Sequence, residues 1–153
     1  MKRILFVIAI LINGSVYVYG QTVGDFQSRQ SGNWNDYNTW NRWNGSSWVA
    51  AISGQTPGAA NSATIQSSHI ITINVAAACT NLSIDGIWSN TGNYTAAISG
   101  NLTVNSGATF TAGTGVYTLS GTTKTIGGTI TSLTIPSLTI SGSYTNNLTG
   151  SGL

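Results

Sequence analysis

"NLSIDGIWSNTGNYTAAISGNLTV", residues 81–104, contains one short phrase twice. Asn81-Leu82-Ser83-Ile84 returns, with residue 101 in the place of residue 81, as Asn101-Leu102-Thr103-Val104. Each phrase alternates an apolar residue with a small polar one, which is the period of a β-strand, and the Gly and Asn residues between them are typical of turns. The repeat predicts a structural unit of about 20 residues that stacks on the next copy of itself.

The same alternation continues on both sides of this stretch. It occurs in residues 63–65, 71–75, 117–121, 132–135 and 137–142. Because similar residues would fall at similar places in successive units, the pattern predicts an all-β fold, a parallel β-helix (β-solenoid) with coils about 4.8 Å apart. Inward Leu, Ile and Val would form one core, and Thr and Ser would face water. An antiparallel β-sandwich is the alternative, since it also has many short strands, but it does not require a repeated phrase.

Four of the five tryptophans lie within residues 32–50. The end of a solenoid exposes unpaired backbone groups and apolar interior, and one indole can bury on the order of 200 Å². We therefore expect a Trp-rich N-terminal cap hairpin. Asn44-Gly45 predicts a two-residue type I′ turn, while a longer loop over residues 44–47 would place Trp43 directly opposite Trp48. Either loop puts these two indoles on one face, with Trp40 on the other.

A glycan-binding surface is the competing interpretation of the same hairpin. Exposed indoles can stack on sugar rings, and neighbouring amides can form hydrogen bonds with sugar hydroxyls. The candidate glycan-binding residues are Trp40, Trp43, Trp48 and Asn41. Because large aromatic side chains are usually buried, the cap is the expectation that we place first.

The start of the chain resembles a secretory signal peptide. Met1-Lys2-Arg3 precedes the apolar run 4–12, which is too short to span a bilayer, and a cleavage site would follow Gly20. The expected organisation is a signal peptide at 1–20, the Trp-rich cap at 21–60 and β-helix rungs at 61–153. The pattern runs to Leu153 without a polar capping segment. We therefore expect the rungs to be incomplete and the chain to be the N-terminal part of a longer exported protein. End-to-end self-association through an uncapped C-terminal end is the alternative.

The charge pattern argues against several partners. Two of the five basic residues are Lys2 and Arg3, so three would remain after cleavage against three acidic ones. Nucleic-acid binding depends on clustered Lys and Arg, so no nucleic-acid partner is predicted, nor any membrane insertion after signal cleavage. The lone Cys79 lies among small apolar residues and is expected to be a buried hydrophobe.

No catalytic, metal or cofactor site is predicted, and the chain is not expected to be an enzyme. Glycoside hydrolysis generally needs two carboxylates across the scissile bond, yet Asp25, Asp36 and Asp85 are dispersed and there is no Glu. His69 is the single imidazole and has no neighbouring ligand residues in the sequence, whereas metal sites need several converging ones.

Several phrases resemble a known type of protein. They are residues 32–36, the tryptophans that follow them, Thr56-Pro57-Gly58, and the strands 63–65 and 69–73. Together they are similar to the Trp-rich opening of a G8-type domain in secreted surface proteins common in Bacteroidota, and the later phrases resemble those proteins' β-helix repeats. The resemblance implies an exported adhesin-like or cell-surface β-helix that uses a type IX secretion route.

The expected function is that of a non-catalytic, extracellular or outer-surface structural or adhesin-like module. Its partner would be an extracellular glycan or another cell-surface molecule. The alternatives are a carbohydrate-binding module that uses the Trp hairpin, or an accessory part of a β-helical polysaccharide-degrading enzyme.

Overall fold

The computed structural model describes residues 20–148 and shows an all-β fold with short strands and a 3-10 turn at Tyr37–Thr39. Residues 1–19 of the expected signal peptide and residues 149–153 lie outside the described residues. No helix among residues 20–148 is long and apolar enough to cross a membrane. The strands are β1 (Phe26–Ser28), β2 (Gly32–Asn33), β3 (Trp40–Trp43), β4 (Trp48–Ala50), β5 (Ala63–Ile65), β6 (Ile70–Thr72), β7 (Ala77–Cys79), β8 (Leu82–Ile84), β9 (Ile87–Ser89), β10 (Ala96–Ile98), β11 (Leu102–Val104), β12 (Thr109–Thr111), β13 (Tyr117–Leu119), β14 (Lys124–Gly127), β15 (Leu138–Ile140) and β16 (Tyr144–Asn146).

Successive strands wind around three sheets. Sheet A has the order β16-β14-β11-β8-β5-β1-β3-β4, sheet B has β12-β9-β6-β2, and sheet C has β15-β13-β10-β7. From β5 to β13 the chain visits sheets A, B and C in turn, and the strands of one coil pair in parallel with their counterparts in the next. After β14 the chain passes to β15 of sheet C and back to β16 of sheet A, and sheet B has no strand after β12 among residues 20–148. The result is a β-solenoid of about four turns. The predicted parallel β-helix is confirmed, and the antiparallel sandwich is wrong.

The repeated phrase stacks on itself residue by residue. Leu82 pairs with Leu102 and Ile84 pairs with Val104, and all four side chains are buried in the core. Full burial of a side chain of this size contributes roughly 1.5–3 kcal/mol relative to exposure. The next coil is longer, because Leu102 pairs with Ile126. The loose period therefore reflects turns of unequal length around a constant core position.

The asparagines that open the phrases connect one coil to the next. The Asn81 amide donates to Ser62 Oγ at 3.0 Å and accepts from the backbone N–H of Asn101 at 2.8 Å. Asn101 in turn accepts from the backbone N–H of Thr125 at 3.0 Å. These bonds satisfy the backbone N–H of Asn101 directly before β11 and that of Thr125 within β14. We call this set of four residues the asparagine ladder.

The N-terminal end of the solenoid carries the hairpin as an extension of sheet A. Strand β3 pairs antiparallel with β1, and β4 pairs antiparallel with β3. Trp34 and Trp40 are buried, at 2% and 0% exposure, and their ring centroids lie 5.3 Å apart in an edge-to-face contact. The Trp40 indole N–H donates to the Trp34 carbonyl at 2.9 Å. These two indoles therefore form the apolar part of the predicted cap.

The hairpin turn differs from the predicted type I′ turn. Trp43 pairs with Trp48, so the loop comprises residues 44–47, and of Asn44 and Gly45 only Gly45 has a positive φ, of 103°. The reason is the Asn44 side chain, whose Oδ1 accepts from the backbone N–H groups of Ser46 and Ser47, each at 2.9 Å. This side-chain turn stabilises the wider loop. The two-residue turn was wrong, and the four-residue alternative is confirmed.

Candidate functional site

The outward side of sheet A carries an aligned row of small polar residues. Side chains alternate between the two faces of a strand, so the middle residue of each three-residue strand points outward when its neighbours are buried. Pairing across the coils aligns these middle residues, which are Gln27, Thr64, Ser83 and Thr103. We call them the outer row.

A groove of about 600 Å³ runs over the outer row. Its lining adds Ser62, Asn81 and Asn101 of the asparagine ladder and the N-terminal segment 20–22. Trp48, on the outermost strand of sheet A, also contributes to the lining. The groove is therefore a polar surface that extends over several coils and has an indole in its wall.

Trp43 and Trp48 form a half-buried pair beside this groove. Their ring centroids are 5.4 Å apart, with a 60° angle between the ring planes. Trp43 directs both of its backbone groups toward the residues just before β1, donating to the Asp25 carbonyl at 2.8 Å and accepting from the Gly24 N–H at 2.9 Å. The two tryptophans are consequently a non-hydrogen-bonded cross-strand pair, the geometry in which opposite side chains approach most closely.

The structure brings together three of the four candidate glycan-binding residues. Asn41 pairs with Gln27 on one side and with Ala50 on the other, and it lies two residues from Trp43. Residues two apart in a strand share a face, so Asn41 lies on the outward face of sheet A with Trp43 and Trp48.

Trp40 does not belong to this surface. It pairs with the buried Ser28 and has 0% exposure, so its ring is inaccessible to a ligand. Because it is buried, Trp40 is removed from the candidate glycan-binding residues. The physical reason is that residues 40 and 43 of one strand, three apart, point to opposite faces.

Sequence reasoning placed the Thr and Ser residues of the outer row on the outer surface but did not identify them as part of a candidate site. The signal was present, because Thr64, Ser83 and Thr103 are the polar middle residues of the repeated phrases. What could not be read is that these phrases all return to the same sheet as the hairpin, since that depends on the length of each turn.

The groove is nearly free of charged side chains. Asp25 is the one carboxylate among its lining residues, and both of its oxygens accept backbone hydrogen bonds, from Ser62 at 2.9 Å and from Thr22 at 2.8 Å. No Lys or Arg contributes to the lining. Uncharged hydroxyls and amides therefore dominate what a ligand would meet.

The other carboxylates and the imidazole lie at separate places. Asp36 accepts from the Asn38 backbone N–H at the 3-10 turn, and Asp85 accepts from the Asn105 amide at 2.6 Å. His69 Nδ1 lies 2.9 Å from Ser28 Oγ, a buried hydroxyl that also accepts from the Gln66 backbone N–H. Within residues 20–148 no three His, Cys, Asp or Glu side chains form a group that could hold a metal ion.

Two further titratable groups belong to the core. Cys79 is fully buried, and desolvation raises the pKa of its thiol from 9.0 to about 12. Burial also raises the pKa of Tyr117, while hydrogen bonds from Asn90 and Trp88 act in the opposite direction. Both groups are therefore neutral at ordinary pH and support packing.

Comparison of the chain with protein-family models, with curated proteins and with solved structures found no match. The resemblance to G8-type surface proteins stays a prediction from the sequence.

Proposed function

We propose that this chain is a non-catalytic, adhesin-like module that acts outside the cell and binds glycans through the outward face of sheet A. The observation that supports this proposal best is the placement of Trp43 and Trp48, which lie half-buried beside a polar groove with a single charged residue, Asp25, in its lining. The expected export rests on the leader-like residues 1–20.

The chemistry of this face is complementary to a sugar. A pyranose has an apolar C–H face that can pack on an indole ring and a rim of hydroxyls that need hydrogen-bond partners. The tryptophan pair supplies the first surface, and Asn41, Gln27 and the hydroxyls of the outer row supply the second. Ligand sites commonly combine aromatic walls with a few placed polar groups in this way.

The scaffold holds the pair rigid. Trp40, on the other side of the same strand, is locked in the core by its edge-to-face contacts with Phe26 and Trp34. Strand β3 is also paired on both sides, with β1 and with β4. A surface that is already ordered loses less conformational entropy on binding, which favours affinity.

The test is the binding of the full chain to a glycan array, compared with a Trp43→Ala/Trp48→Ala double variant. We expect glycan binding by the wild-type chain and its loss in the double variant. The matched control is Val49→Ala, which removes an exposed apolar side chain from the opposite face of the same hairpin.

Circular dichroism would establish that all three proteins keep the β-solenoid. Unchanged glycan binding by a folded double variant would contradict the proposal, as would the absence of binding to every glycan by the wild-type chain.

A further inference from the structure

We infer that the ligand of this face is an uncharged linear polysaccharide that lies across the strands, along the solenoid axis, with one end against Trp48. This inference rests on the proposed function and specifies the class and orientation of the glycan.

The shape of the groove gives the orientation. Its lining draws one outward residue from each of β1, β5, β8 and β11, together with Trp48 from β4. Five strand spacings separate β4 from β11 in sheet A, which amounts to about 24 Å at about 4.8 Å per spacing. No single sugar ring covers this distance, whereas a chain of several rings does.

The groove also repeats along its length, as a polymer does. Coil after coil presents a small hydroxyl at the same position, from Thr64, Ser83 and Thr103. Among residues 20–148 these hydroxyls form no side-chain hydrogen bond, while the neighbouring Asn81 and Asn101 amides are already engaged in the asparagine ladder. A ligand with hydroxyls on every unit can satisfy the free hydroxyl of each coil in turn.

Charge decides between classes of polysaccharide. The groove offers no cationic side chain to a uronate or sulfate, and Asp25 would repel either group. The neutral hydroxyls and amides of the groove can form hydrogen bonds with sugar hydroxyls without a charged partner. A neutral glycan therefore fits, and an acidic one does not.

An extended peptide is a poorer occupant of the same surface. Peptides that add to sheets bind through unpaired backbone groups at a sheet edge. The outer row lies on β1, β5, β8 and β11, each of which is paired on both sides within sheet A. The groove consequently offers side chains rather than backbone groups.

The first experiment is a titration series by calorimetry with the full chain. The probes are manno- and cello-oligosaccharides from two to six units, and alginate as the acidic polymer. We expect affinity to rise with chain length for at least one of the neutral series, by about tenfold or more from two to six units. Alginate should bind at least about tenfold more weakly than the best neutral hexasaccharide. Equal affinity along both neutral series, or tighter binding of alginate, would overturn the inference.

The second experiment uses Thr103→Val, a change at the groove position farthest from Trp48 in sheet order. This change should weaken the affinity for the hexasaccharide about threefold to tenfold and leave the affinity for the disaccharide unchanged, because only the longer ligand reaches β11. Thr118→Val is the matched control, since Thr118 is the middle residue of β13 on sheet C and lies outside the groove. Equal effects of the two variants on the hexasaccharide would overturn the inference.

The failure of this inference and that of the proposed function have different signatures. If Trp43→Ala/Trp48→Ala abolishes binding while chain length and Thr103→Val have no effect, the glycan site stands but the axial polymer does not. If no neutral or acidic glycan binds the wild-type chain, the proposed function itself fails.

Discussion

Trp40 and Trp43 are three residues apart in one strand, and this spacing gives them different roles. Trp40 is fully buried and donates its indole N–H to the Trp34 carbonyl, whereas Trp43 is half-buried against Trp48. The alternation that separates the two tryptophans can be read from the sequence. The width of the turn between Trp43 and Trp48 could not, because it depends on whether the Asn44 side chain or its backbone organises the loop.

The first prediction compares these tryptophans by stability. Trp40→Ala should lower the free energy of unfolding by about 3–5 kcal/mol, because it leaves a large cavity and removes a buried hydrogen bond. Trp43→Ala should cost about 1–2 kcal/mol, since its ring is already partly in water. Urea denaturation followed by circular dichroism measures both. Equal losses in the two variants would show that this division of roles is wrong.

The second prediction concerns Cys79 and alkaline pH. Its thiol has a pKa of about 12 in the folded chain and 9.0 otherwise. The thiol therefore stays protonated to a higher pH in the folded state than in the unfolded state. Its contribution to the free energy of unfolding is fully present below about pH 9 and is lost as pH rises toward about pH 12. From about pH 8 to about pH 10.5, the wild-type chain should lose about 2 kcal/mol more unfolding free energy than Cys79→Ala.

Urea titrations of both proteins at the two pH values test this prediction. Tyr117 titrates in both chains, so its contribution cancels in the comparison. Parallel pH profiles for the two proteins would contradict the buried, protonated thiol.

At the scale of elements, the asparagine ladder explains why the repeated phrases start with Asn. Each asparagine directly precedes a strand, and its amide forms hydrogen bonds with backbone or hydroxyl groups of neighbouring coils. The strands and their parallel stacking were predictable from the phrase, because its apolar positions must coincide. The antiparallel attachment of β3 to β1 was not, because it is formed by backbone hydrogen bonds that leave no side-chain pattern.

The third prediction tests the ladder. Asn81→Ala should lower the free energy of unfolding by about 1–3 kcal/mol, because it leaves the Asn101 backbone N–H without its acceptor. Asn33→Ala, at an exposed position on β2, should change stability by less than about 0.5 kcal/mol. Thermal or urea denaturation would measure both, and a neutral Asn81→Ala would mean that the ladder contributes no stability.

At the scale of the whole molecule, the solenoid was predictable but the position of the proposed binding face was not. Coil lengths differ, as the pairing of Leu82 with Leu102 and of Leu102 with Ile126 shows. The turns between strands accommodate this difference, while the core positions stay aligned. The sequence therefore indicates which residues point outward but not which of three sheets they share. Only the folded chain shows that the outer row and the tryptophan pair lie on one sheet.

The central claim is that buried indoles organise the fold while Trp43 and Trp48 meet the ligand. Nuclear magnetic resonance of the five tryptophan indole N–H groups, titrated with mannohexaose and cellohexaose, tests it most directly. With a hexasaccharide that binds, we predict that the Trp43 and Trp48 signals shift and that the signals of Trp34, Trp40 and Trp88 do not. Saturable binding that shifts the buried indoles, or that moves none of the five, would contradict the claim.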